Sequence, residues 1–204
     1  MIKLNYKEYC LEVPDTVYLP SDDSYLFLDV ILEDNKSKMI NSALEIGAGS
    51  GYVSLGIYNL VNKIILTDIN PIVINYLNKL KEKYNLNKIE VISSDLLKNI
   101  PKSIVFDVII FNPPYVPSEK VPLSTELDKL STDGGQFGRK IIIRFLADLR
   151  KHLAKDGCCY LLISSFNNPH YLYKQILKNN LTYKILKERN IFFEKLIVLK
   201  IFAK

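Results

Sequence analysis

The chain has 204 residues and a mass of 23.5 kDa, with 27 basic against 22 acidic side chains and a formal charge of +5. A hydrophobic share of 48% with 24% charged residues excludes a disordered or collagen-like chain. A single domain of this size buries about 70% of its unfolded surface and needs no staples. The three cysteines are odd in number, with Cys158 and Cys159 adjacent and Cys10 remote, which excludes a disulfide framework and a metal-ligand spacing.

The first residues, Met1 to Glu8, lack the apolar segment of a signal peptide. No apolar run approaches the ~20 residues of a membrane span. The expectation is a soluble, cytoplasmic domain with no membrane role, and the small positive excess names no partner.

In chain order, Ser21-Asp22-Asp23 starts a helix running to about Glu33, its acidic first turn suiting the positive end of the helix dipole. Short apolar runs then alternate with helix-period segments. Residues 42–47, 63–68, 89–93, 105–112 and 157–164 read as strands, and Val108–Phe111 is apolar without a break, as in a strand covered on both faces. Asn70-Pro71, an N-cap with proline at the first helical position, opens a helix to about Tyr84. Residues 140–153 repeat Ile143, Leu146, Leu149 and Leu153 on one helical face, and Asn168-Pro169 opens a further helix ending near Asn179-Asn180. Two β-type runs, 181–188 and 193–202, are separated only by residues 189–192, which is hairpin spacing. The prediction is a three-layer, doubly wound, mainly parallel α/β sheet that finishes with an antiparallel strand.

Glu45-Ile46-Gly47-Ala48-Gly49-Ser50-Gly51 lies where the first of these strands meets a helix. Such a turn either receives a nucleotide-like ligand or is merely tight. Asp68 ends the next strand 21 residues after Gly47, the spacing at which a carboxylate accepts both ribose hydroxyls. The motif lacks the sixth-position glycine and the following lysine of pyrophosphate and phosphate binders. Glu45 would repel a pyrophosphate and suits a cationic ligand carrying a sulfonium and an amino group. Asp95, after the third strand, can reach an adenine exocyclic amine. Glu45, Asp68 and Asp95 at successive strand ends read as an S-adenosylmethionine site.

The fourth strand runs into Asn112-Pro113-Pro114-Tyr115. The prolines remove two donors and stiffen the chain, so the Asn112 side-chain oxygen and a prolyl carbonyl form an acceptor pair for a planar NH2, with Tyr115 as a flat face. The expected catalysis is alignment of nitrogen, methyl carbon and sulfur.

Beyond these readings, the chain resembles the HemK-like S-adenosylmethionine-dependent protein glutamine N5-methyltransferases, in their short archaeal and eukaryotic branch. The resemblance rests on Thr16–Ser24, Glu45–Gly51, Thr67–Pro71, Phe111–Val116, Gly134–Arg139, Asn167-Asn168-Pro169 and the closing strand. It implies a seven-stranded, Rossmann-like class I fold over residues 1–204 as a single methyltransferase domain, with 1–40 an N-terminal extension and helix covering the cofactor pocket. It also implies donor contacts from Ser24, Glu45, Gly47, Gly49, Asp68, Ile69, Asp95, Leu96 and Asn112, with Asn112, Pro113, Pro114 and Tyr115 at the reacting centre. Ser24 stands where the family usually has threonine. The implied substrate is the glutamine of a Gly-Gly-Gln motif in a class-1 release factor, and the implied partner is a small zinc-binding activator subunit.

The same acceptor pair would also serve N6-adenine methylation of nucleic acid, or protein-lysine methylation. Against nucleic acid, the length leaves no target-recognition domain and no basic cluster is interleaved with aromatics. Against lysine, no base is apparent to remove its proton. Gly134-Gly135-Gln136 in the chain itself reads as part of the enzyme's own loop, with Arg139 closing the pocket or docking substrate. His152 and His170 read as helix-surface and first-turn residues, and Cys158 and Cys159 as core residues on opposite faces of a strand.

Overall fold

A computed structural model describes residues 1–120, 132–191 and 194–204. A hairpin of β1 (Ile2–Tyr6) and β2 (Tyr9–Val13) opens the chain, followed by α1 (Asp22–Asp34). The α/β body comprises β3 (Ile40–Ile46), α2 (Tyr52–Ile57), β4 (Val61–Asp68), α3 (Pro71–Lys83), β5 (Ile89–Ser93) and β6 (Phe106–Phe111). It continues through α4 (Lys140–Leu149), β7 (Leu153–Ser164), α5 (Pro169–Lys178), β8 (Leu181–Ile191) and β9 (Glu194–Ala203).

Seven strands form one sheet in the order β5-β4-β3-β6-β7-β9-β8. The pairs from β5 to β7 are parallel, and β9 runs antiparallel to both of its neighbours. The final strand is therefore antiparallel, as its hairpin spacing predicts. Strand residues alternate between two cores. Ala43, Leu66, Val108 and Leu162 pack with Phe27 of α1, Leu55 of α2 and Leu77 of α3. Leu44, Ile109 and Leu161 pack on the other face with Phe145 of α4 and Leu172 of α5. Cys158 joins the first core and Cys159 the second, and burial raises both thiol pKa values.

Local chemistry explains the boundaries. Asn70 caps α3, its Oδ1 accepting the Ile72 amide at 2.9 Å, with Pro71 in the first turn where no donor is missed. In α4 the buried stripe is Ile142, Phe145, Leu146 and Leu149, and the helix stops at Leu149 rather than at Leu153, which already belongs to β7. Leu153 begins β7, opposite Phe106, and the pairing resumes only at Val108 with Cys158. The extra residues bulge out around Gly157, where a Cβ would stand 2.6 Å from the Phe106 carbonyl. The turn between helix and strand buries His152, whose Nδ1 lies 3.1 Å from the Ile104 carbonyl, in contrast to the expected surface position.

Two further features depart from expectation. β8 extends to Ile191, with Arg189, Asn190 and Ile191 paired to Leu196, Lys195 and Glu194, so residues 189–191 are strand and not turn. The connection falls on residues 192–193, outside the described residues. The β1–β2 hairpin has no counterpart in the predicted elements. It seats on the first core through Leu11 and Val13, and the Tyr84 hydroxyl bonds both the N–H and the carbonyl of Cys10, at 2.8 and 3.0 Å.

Candidate active site

The strand order reverses between β3 and β6, where open α/β sheets place ligands beyond the strand ends. Ile46 pairs with Phe111, so Gly47 and Asn112 leave the sheet side by side. A cavity of about 510 Å³ opens there, in the size range of small-molecule sites. All twelve residues singled out for donor binding and catalysis line it, from Ser24 on α1 to Tyr115 after β6.

The β3–α2 turn shapes the floor. Gly47 has φ +63°, a left-handed conformation that spares the turn a Cβ. The Asp68 carboxylate is buried at the end of β4, accepting the Asn70 amide at 2.9 Å on Oδ1 and the Gly49 amide at 3.1 Å on Oδ2. Burial raises its pKa against the lowering effect of those amides. Two carboxylate oxygens accept about four hydrogen bonds in all, so Asp68 retains capacity for a ligand diol. Ile69 stands half-exposed beside it.

Glu45 lies deeper, accepting the Ser54 amide at 3.1 Å and the Ser54 hydroxyl on Oε2. Burial pushes its pKa up to about 8, Ser54 moderates the rise and the Asp68 charge adds to it. A cation bound in the cavity would relieve that penalty. At the third strand end, Asp95 pairs with Lys98 at 2.6 Å and Arg144 at 2.7 Å, both through Oδ2. Partial burial pushes its pKa up, but the bonds from Lys98 and Arg144 outweigh this and hold it below the ordinary value. Leu96 follows with φ +55°, turning the chain along the wall.

Across the cavity, Asn112 donates from Nδ2 to Asp23 Oδ2 at 3.0 Å, while its Oδ1 is buried with no hydrogen-bond partner among the described residues. The carboxylate only accepts, so it determines which end of the amide it meets and leaves the oxygen as the acceptor without a donor. Asp23 is itself fixed. Its Oδ1 collects the Ser24 amide at 2.6 Å, the Ser21 hydroxyl at 2.7 Å, the Ser24 hydroxyl at 3.1 Å and the Tyr18 hydroxyl at 3.2 Å. The Tyr115 hydroxyl reaches Oδ2 at 3.4 Å. Burial and the Asp23 charge push the Tyr115 phenol far above its ordinary pKa, so it stays a neutral donor.

Asp23 is a site residue that sequence reasoning passed over, although it lies inside the Tyr18-x-Pro20-x-x-Asp23 segment that carries the resemblance. Arg139 stands beside the cavity rather than on its wall. Its guanidinium lies 4.7 Å from the Phe137 ring and 4.2 Å from the Tyr171 ring, outside the residues that line the cavity. Gln136 is exposed in the turn before it.

A buried acceptor without a donor among the described residues, carboxylates at three strand ends and a turn with three glycines at positive φ fit a cationic, adenosine-bearing methyl donor. Together with the strand order, they define a class I S-adenosylmethionine-dependent methyltransferase. The methyltransferase small domain pattern matches residues 22–128. A putative protein N5-glutamine methyltransferase of Methanocaldococcus jannaschii is 33% identical over 190 residues, covering 93% of each chain. The human methyltransferase HEMK2 is 30% identical over 193 residues, covering 90% of this chain and 88% of its own. Among solved structures, Mtq2 of E. cuniculi, in complex with Trm112 and described as responsible for methylating the eRF1 termination factor, superimposes with a TM-score of 0.72. It is 25% identical, over 93% of this chain and 99% of its own. The chain belongs to the methyltransferase small domain family, among its HemK-like protein N5-glutamine methyltransferases.

Proposed function

We propose that the protein transfers a methyl group from S-adenosylmethionine to the side-chain amide nitrogen of a glutamine in a translation termination factor, within a Gly-Gly-Gln motif. The observation that carries this reading is the buried Oδ1 of Asn112, which has no hydrogen-bond partner among the described residues while Asp23 holds the amide nitrogen. A primary amide offers two N–H donors in one plane, and Asn112 Oδ1 with the adjacent Pro113 carbonyl can accept both. S-adenosylmethionine supplies, when bound, an activated methyl group on a sulfonium.

The residues divide the work. Asp68 accepts from the ribose diol, Asp95 from the adenine amine, and Glu45 places negative charge beneath the cationic end. Ser24, Gly47, Gly49, Ile69 and Leu96 form the remaining contacts along the walls. Asn112 and Pro113 orient the glutamine nitrogen, while Pro114 and Tyr115 keep the gripping loop rigid. Asn112 Oδ1 is also placed to accept the more acidic N–H as bonding to carbon draws charge from nitrogen. Such positioning supplies a large part of the barrier reduction in reactions of this kind.

The reading extends to location and partner. The reaction is cytoplasmic, where termination factors act, and no helix among the described residues is long and apolar enough to cross a membrane. The Mtq2–Trm112 complex supports a small activator subunit, here taken to be zinc-binding. The sheet ends in β5 and β8, and either edge offers unpaired backbone groups for strand addition.

The test incubates the protein, with and without activator, with labelled donor and three acceptors: release factor, its Gln→Ala variant and total RNA. Label on the wild-type factor alone is expected. Label in RNA alone overturns the proposal, and label persisting on the Gln→Ala factor points instead to lysine.

A further inference from the structure

Asn167 lies just beyond the end of β7, fully buried, with its side-chain oxygen and nitrogen both engaged. Its Oδ1 accepts the Ser164 amide at 2.7 Å, which orients the side chain and turns Nδ2 toward two carbonyls. One is Tyr115 O at 2.7 Å and the other is Gly138 O at 2.8 Å, with the Phe137 carbonyl a longer third contact at 3.5 Å. The first ends the Asn-Pro-Pro-Tyr loop, and the second ends the short turn before α4.

These two backbones are in close contact. A Cβ on Gly138, whose φ is +63°, would stand 2.0 Å from the Tyr115 oxygen, and a Cβ on Gly134 would stand 2.6 Å from the Pro114 oxygen. Two neighbouring carbonyls repel unless a donor lies between them. Pro113 and Pro114 carry no N–H, so their stretch of the gripping loop can be held through hydrogen bonds only at its carbonyls or by its neighbours. Asn167 Nδ2 provides the donor at the Tyr115 end, as Asp23 restrains the Asn112 end.

We propose that Asn167 is a positioning residue for methyl transfer, fixing the acceptor loop against the Gly134–Gly138 turn without touching donor or target. The role rests on the methyltransferase reading above and adds a residue outside the cavity wall. Loss of Nδ2 leaves two carbonyls opposed, and the loop relaxes from the geometry that aligns the amide.

The variant Asn167→Asp keeps the size and the oxygen that accepts from Ser164 but removes every bond that Nδ2 donates. With release factor as acceptor, kcat falls roughly 10- to 100-fold while KM for the donor changes by less than about twofold. In the same variant, amide exchange at Val116 and Gly138 accelerates while that of β3 and β4 does not. Gly138→Ala, which pushes a Cβ into the same contact, gives the same split. A wild-type kcat in Asn167→Asp overturns the proposal, as does a kcat loss matched by equal losses of donor affinity and of cooperative melting. If the wild-type protein fails to methylate glutamine at all, the function proposed above falls, and the exchange data alone decide: unchanged protection at Val116 and Gly138 then overturns the clamp.

Discussion

Asp23 and Asn112 stand 89 positions apart in the chain, yet the carboxylate of one receives the amide N–H of the other across 3.0 Å. The contact joins the first turn of α1 to the end of β6 and sets the polarity of the acceptor site. Without it, the Asn112 amide could present either end to the cavity, and its nitrogen would oppose the N–H groups of a substrate amide.

The first expectation concerns Asn112. Asn112→Ala removes the buried acceptor and lowers turnover by ~10²-fold or more, the scale of a lost transition-state hydrogen bond. Donor binding survives, because Glu45, Asp68 and Asp95 lie on or just after other strands. Single-turnover kinetics beside calorimetric titration of the donor separate the two effects, and a variant as active as wild type would remove Asn112 from the mechanism.

Asp23→Asn replaces an obligate acceptor by a group that can also donate, so Asn112 is free to turn over. The expected loss in kcat is about tenfold, and the double variant Asp23→Asn/Asn112→Ala is no slower than Asn112→Ala alone, since both act through one hydrogen bond. Additive losses in that cycle would mean that Asp23 contributes by another route.

Asp68 should behave differently. Its carboxylate is already bonded to two backbone amides and serves ground-state binding. Asp68→Asn weakens donor affinity roughly 10- to 100-fold, the worth of a charge-assisted hydrogen bond, with kcat at saturating donor nearly preserved. A fall in kcat with unaltered affinity would contradict this division of roles.

Glu45 predicts a pH dependence. Burial raises its pKa in the folded protein from 4.5 to about 8. The unfolded chain releases this proton first as pH rises, so the folded state binds more protons between those values. In the donor-free protein this group's stabilising contribution is complete below its unfolded pKa and is lost as pH climbs through the folded one. Chemical denaturation at a series of pH values should show that slope, and Glu45→Gln should abolish its share. Donor binding should also release a proton near neutrality, because a bound cation favours the ionised carboxylate; buffers of different ionisation enthalpy would detect it.

Much of this site was legible because its groups lie next to strand ends in short motifs. Glu45, Asp68 and Asp95 each follow an apolar run, and parallel pairing brings such ends to one edge of the sheet. The roles of Asp23 and Asn167 were not legible, because each depends on contacts between segments far apart in sequence. The β1–β2 hairpin escaped for another reason: β1 is five residues of mostly exposed, mixed character, stabilised by what it packs on rather than by its own pattern. Residues 189–191 looked like a turn because Arg and Asn are polar, yet this stretch of strand lies at an exposed sheet edge, where polar side chains incur no burial cost.

The order of strands sets a condition on synthesis. β9 is made after β8 but lies inside it, bonded to β7 on one side and β8 on the other. While the chain is emerging from a ribosome, β7 therefore waits with an open, apolar edge until Glu194–Ala203 arrives. A chain halted within β8 carries the whole methyl-donor cavity, yet displays the unpaired edge that other chains can add to. Premature termination here yields an aggregating species rather than a smaller enzyme.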